Sequence, residues 1–88
     1  MYYKSHNILL TMQIQTKIGL RIKSLREKEK LNQEQLAWQA GVDRTYMNYV
    51  ENGKRNITVK NLEKIVVDGF RMSLADFFND AIFDEKRD

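Results

Sequence analysis

Eighty-eight residues suffice for one small domain and leave no room for a second folding unit, which excludes most large enzyme architectures. Hydrophobic residues at 42% and charged residues at 31% exclude intrinsic disorder, and charge interrupts every apolar stretch short of the about 20 residues a membrane span needs. The absence of cysteine excludes disulfide scaffolds, thiolate metal sites and cysteine nucleophiles.

The only apolar run near the start, Ile8 to Leu10, is too short for a secretory h-region, so a cytoplasmic protein without cofactor or metal is expected. The net charge of +3 is unevenly placed: residues 1–75 carry +6 and residues 76–88 carry −3. A basic body points to a polyanionic partner, nucleic acid first, although a solvated charged surface gives similar arithmetic.

Zero proline and a 3.6-residue periodicity predict an all-α chain of five helices. Residues 1–15 are an N-terminal extension without assigned function. Its segment Ile8 to Met12 is open to three readings, a short extended segment, an added helical turn or an artefact of start-codon choice, since Met12 would itself serve as a start, and His6 reads as solvated. The first helix runs from Thr16, a plausible N-cap, to about Glu29, with Ile18, Ile22 and Leu25 on one face and Lys17, Arg21, Lys23 and Lys28 mostly elsewhere. Asn32, with Gln35 three residues on, has the form of a capping box opening a second helix, whose apolar side is Leu36, Ala37 and Ala40 and which Gly41 stops.

Asp43 caps a third helix, Arg44 to about Glu51, with Met47 and Val50 inward. Asn52-Gly53 ends it with residues that tolerate positive φ, and Lys54, Arg55 and Asn56 form a basic loop. Thr58 caps a fourth helix with Val59, Leu62, Ile65 and Val66 on one side. Ser73 opens a fifth carrying Leu74, Phe77, Phe78, Ala81 and Ile82. The acidic tail 84–88 is expected to fray.

The second and third helices, meeting at a tight glycine turn, have the form of a helix-turn-helix, with small residues Ala37 and Ala40 at the contact. Arg44, Thr45, Asn48 and Tyr49 face away from the core, with Tyr46 at the boundary. Tyr46 and Tyr49 have the alternative of packing on the first helix. Trp38 reads as a partly buried packing residue rather than a base-stacking platform.

The sequence LNQEQLA at 31–37, the Gly41-Val42 turn, Glu51-Asn52-Gly53-Lys54 and Leu62-Glu63-Lys64-Ile65 resemble the Cro/repressor-type (XRE) family, a lambda-repressor-like fold, over about residues 16–78. Within it, Asp43-Arg44-Thr45-Tyr46, the aromatic at Trp38 and Arg55-Asn56-Ile57-Thr58 resemble restriction-modification controller proteins. The resemblance implies base contacts by Arg44, Thr45 and Tyr46, with Asn48 and Tyr49 at the margin. It implies phosphate contacts by Asn32, Gln33, Lys54, Arg55 and Asn56, and a buried Arg26–Glu51 pair that leaves the Arg26 guanidinium near a phosphate. From Leu62 to Ser73 the chain runs about one residue longer than the family's joint, and Gly69-Phe70-Arg71-Met72 replaces its glycine-valine end.

The fifth helix carries more apolar surface than a terminal helix needs, so Leu74, Phe77, Phe78 and Ile82 are assigned to a homodimer interface, the alternative being closure of the protomer's own core. The expected protein is a homodimeric regulator on pseudo-palindromic double-stranded operators, controlling its own gene and an endonuclease gene, with RNA polymerase and a second adjacent dimer as open partners. An antitoxin or phage-type repressor whose main partner is another protein is the alternative. An enzyme is disfavoured, since the chain has no phosphate-cradling glycine loop and no metal-spaced cluster.

Overall fold

The computed structural model describes residues 12–84. The expectations for His6, for most of the N-terminal extension and for residues 85–88 lie outside the described residues. Five helices follow in order: α1 Ile14–Lys28, α2 Gln33–Ala40, α3 Arg44–Glu51, α4 Val59–Glu63 and α5 Leu74–Phe78. A π-helical turn, Lys64–Gly69, continues α4, and a 3₁₀ turn, Ala81–Phe83, follows α5. No strand occurs among the described residues.

Local chemistry explains most of the boundaries. The Asn32 side chain accepts from the Gln35 amide while the Asn32 amide donates to Gln35 Oε1, a complete capping box. Asp43, Thr58 and Ser73 likewise accept from the amides of Tyr46, Asn61 and Asp76. At the other ends the chain turns through a left-handed residue: Lys30 at φ 60°, Gly41 at 74°, Gly53 at 70° and Arg71 at 58°. In the first three, the next amide reaches back five residues, from Leu31 to Arg26, Val42 to Ala37 and Lys54 to Tyr49. At the fourth, Met72 reaches back six residues to Val66, because the π turn holds one more residue. The π turn thus holds one residue more than an α turn would, inside the helix rather than in the loop that follows.

The core closes between α1 (Ile18, Ile22, Leu25), α2 (Leu36, Ala37, Ala40), α3 (Met47, Val50) and the α4–π segment (Leu62, Ile65, Val66), with Phe70 and Phe77 sealing its end. Gly19 lets α1 press on the end of α3: a Cβ there would lie 2.4 Å from the Val50 carbonyl oxygen. Arg21 holds α5 down. It donates to the Phe77 carbonyl at 2.8 Å, to the Asp76 carbonyl at 3.1 Å and to Asp80 at 3.1 Å, satisfying carbonyls at the negative end of a helix dipole.

Several expectations are corrected. The Gln13 carbonyl accepts from Thr16 and Lys17, so α1 starts before Thr16, which caps nothing and instead lies beneath Gly53. Lys17, expected off the apolar face, is buried. Val59, at the first position of α4, is 77% exposed rather than on the apolar side with Leu62, Ile65 and Val66. Trp38 is 83% exposed, because it lies about 200° around the helix from Leu36. The fifth helix stops at Phe78, where Asp80 turns the chain and accepts from the Ile82 amide, so Ala81 and Ile82 belong to a separate turn.

Candidate nucleic-acid interface

The two short helices of the helix-turn-helix are stiff because each has a side-chain cap at its start and a left-handed glycine at its end. Their inward positions fix which side chains face out. Arg44, Thr45, Asn48 and Tyr49 are exposed along α3 and, with Gln33 from α2, line a cleft of about 280 Å³. Arg44 and Thr45 occupy the first turn, where a helix entering a groove presents its side chains first. Tyr46 is half-buried against the core and its hydroxyl accepts from Asn61 Nδ2 at 3.0 Å. Lys54, Arg55 and Asn56 are exposed, and the Arg55 guanidinium stands 5.7 Å from the Tyr46 ring centroid and 5.6 Å from that of Tyr49, joining the basic loop to α3.

Behind this face lies the expected ion pair. Arg26 Nε donates to Glu51 Oε2 at 2.6 Å and its Nη2 to Glu51 Oε1 at 3.0 Å, while Nη1 donates to the Leu31 carbonyl. Glu51 is 4% exposed. The hydrogen bond to Glu51 raises the Arg26 pKa above its ordinary value, burial opposing it and the charges of Glu51 and Glu27 adding to it. Gln33 Nε2 also donates to Glu51 Oε1, and Gln33 Oε1 accepts from Asn48 Nδ2. Asn32 spends its side-chain oxygen on the cap of α2.

The sequence does not indicate the Gln33–Asn48 bond, the Asn61–Tyr46 bond or the Arg21 clamp, which depend on elements distant in the chain. Gly19 carries a usable signal, since an isolated glycine inside a strongly periodic helix marks close packing.

Of the residues assigned to a dimer interface, Phe77 is 0% exposed, so it sits within the protomer's own core rather than at a surface. The exposed remainder is Phe78, with Leu74 and Ile82 half-buried. Phe77, Phe78 and Phe83 form one aromatic cluster with centroids 4.9–5.9 Å apart. Among the described residues no helix is long and apolar enough to cross a membrane.

A helix-turn-helix family model matches residues 22–67. The control protein C.MunI of a Mycoplasma species is 46% identical over 68 residues, covering 76% of this chain and 90% of that protein. The crystal structure of the restriction-modification controller protein C.AhdI from Aeromonas hydrophila superposes with a TM-score of 0.68 at 34% identity, covering 73% of this chain and 96% of that one. The chain belongs to the helix-turn-helix family of restriction-modification controller proteins. A further relative of this controller, C.Esp1396I, has been solved as a tetramer with its natural 35 base-pair operator, with a TM-score of 0.70 at 35% identity, covering 76% of this chain and 88% of that one. Solved variants of C.Esp1396I replace an arginine, a threonine and a tyrosine at three consecutive positions. That order occurs once in this controller, at Arg44-Thr45-Tyr46.

Proposed function

We propose that this controller is a cytoplasmic transcriptional regulator that binds pseudo-palindromic operators as a homodimer and controls both its own gene and the endonuclease gene of its restriction-modification system. The observation that carries this reading is the exposed row of Arg44, Thr45, Asn48 and Tyr49 on a doubly anchored helix, in a family with an operator-bound structure. Arg44 reaches guanine O6 and N7, and the Thr45 methyl meets a thymine methyl. Tyr46, tied to Asn61, offers the edge of its ring, and Asn48 and Tyr49 complete the face. Gln33, Asn32 and the α2 N-terminus take one phosphate, Arg26 lies behind them, and Lys54, Arg55 and Asn56 take a second stretch of backbone. The chemistry is recognition and not catalysis.

Leu74, Phe78 and Ile82 meet their counterparts across a two-fold axis, placing two α3 helices about 34 Å apart in successive major grooves. Two such dimers side by side on one operator follow from the tetrameric relative. The antitoxin alternative loses support because Phe77, part of the apolar surface that suggested a protein partner, is internal.

Selection of bound duplexes from a random library, with and without Arg44→Ala at one stated salt concentration, tests the reading. A two-fold symmetric site that loses a guanine preference in the variant is expected; enrichment of no sequence by the folded protein overturns it.

A further inference from the structure

We propose that Asn48 is a specificity-determining residue that reads adenine, aimed at the base by Gln33 and Asn52; the assignment rests on the operator-binding reading above. Asn48 Nδ2 donates to Gln33 Oε1 at 3.2 Å, and Asn52 Nδ2 donates to Asn48 Oδ1 at 3.3 Å and to the Asn48 carbonyl at 3.0 Å. An amide is nearly symmetric in shape, so its polarity must be set by a neighbour that is not. Here that neighbour is the buried Glu51 carboxylate, already held by Arg26 and able only to accept.

Glu51 requires the nitrogen of Gln33, which leaves the Gln33 oxygen for Asn48. Asn48 must then offer its nitrogen to Gln33 and its oxygen to Asn52. One buried charge thereby orients a row of amides that ends on the exposed face of α3.

A carboxamide has two N–H groups and an oxygen with two lone pairs. One of each is committed in Asn48, so one N–H and one lone pair remain. The major-groove edge of adenine presents one acceptor, N7, and one donor, N6–H, and uses both. Guanine presents two acceptors, so it gains only one bond from an Asn48 whose other N–H is on Gln33. Thymine and cytosine also offer one hydrogen bond each at this edge. Asn48 lies one helical turn beyond Arg44 and shares its cleft, with Cβ atoms about 5–6 Å apart. At about 3.4 Å per step, the adenine falls roughly two base pairs from the guanine of Arg44.

The test replaces each adenine of the selected half-site, one at a time, with 7-deazaadenine, which pairs normally but lacks the N7 acceptor. Binding of the wild-type, Asn48→Ala and Asn52→Ala dimers is measured at one salt concentration. One adenine per half-site is expected at which replacement weakens the wild type about tenfold and leaves Asn48→Ala unchanged. Asn52→Ala should keep its affinity for random DNA while losing part of that sensitivity, which loss of fold would not produce. A wild type indifferent at every adenine, or an Asn48→Ala variant as sensitive as the wild type, overturns the assignment. Full sensitivity in Asn52→Ala overturns the aiming role of Asn52. If the wild type selects no operator, the operator-binding reading fails and takes this inference with it.

Discussion

Arg26 and Glu51 join the first helix to the last turn of α3 through two N–H···O bonds of 2.6 and 3.0 Å, in a site that almost excludes water. Removing one partner strands a buried charge, so Arg26→Met should cost about 3–5 kcal/mol in urea unfolding. Adding Glu51→Leu should regain most of that stability while losing the anchor of Gln33. Because the Arg26 pKa is raised, its contribution is complete below the ordinary arginine value and disappears only as pH climbs through the folded value. Titration from pH 6 to 9 should therefore show no loss traceable to this group.

Gly19→Ala should be far more damaging than Gly41→Ala. A Cβ at Gly19 meets the carbonyl oxygens of Val50 and Glu51 at 2.4 and 2.6 Å, and backbone cannot step aside as a side chain can. A loss of about 2–3 kcal/mol is expected, with weaker operator binding as α3 shifts. At Gly41 nothing lies within 4 Å, so the cost is only the left-handed φ, about 1 kcal/mol. Thermal melts of the two variants check the ranking.

Arg71 occupies a left-handed position, φ 58°, where glycine pays no steric penalty. Arg71→Gly should raise stability by about 0.5–1 kcal/mol after the greater freedom of the unfolded chain is deducted. A lower melting temperature in the variant would show that the arginine side chain contributes more than its backbone costs.

Lys54 is exposed just beyond α3, outside the cleft lined by Arg44 and Asn48. Lys54→Ala should weaken operator and random DNA alike and reduce the slope of log affinity against log salt by about 0.9. A change confined to the operator would make Lys54 a base contact instead.

Phe78 is 39% exposed above a filled core. Phe78→Ser should leave the helical content intact and shift sedimentation toward the monomer, whereas Phe77→Ser should unfold the protomer. Equal association in wild type and Phe78→Ser would move the dimer interface elsewhere.

Much of the helix-turn-helix is legible in the sequence because its signals are local. A cap accepts from an amide three residues away and Gly41 turns its own backbone, so Asn32, Asp43, Thr58 and Ser73 can be read off directly. The outward face of α3 follows from its register alone. Trp38 is misread because the chemistry of its side chain outweighs its register, which places it opposite Leu36. Arg21, Asn61 and Gln33 reach partners on other elements, and no local pattern announces a hydrogen bond from Arg21 to Phe77.

The π turn at Lys64–Gly69 separates the length of the α4–α5 joint from its direction. In an uninterrupted α-helix one added residue swings everything downstream by about 100°. Widening a single turn absorbs that residue, so the aromatic surface at Phe78 leaves the core at the azimuth it would have with one residue fewer. Deleting one residue from this turn should therefore be tolerated, with an α turn restored, whereas a second insertion would rotate Phe78 by about 100° around the core and leave α3 where it is.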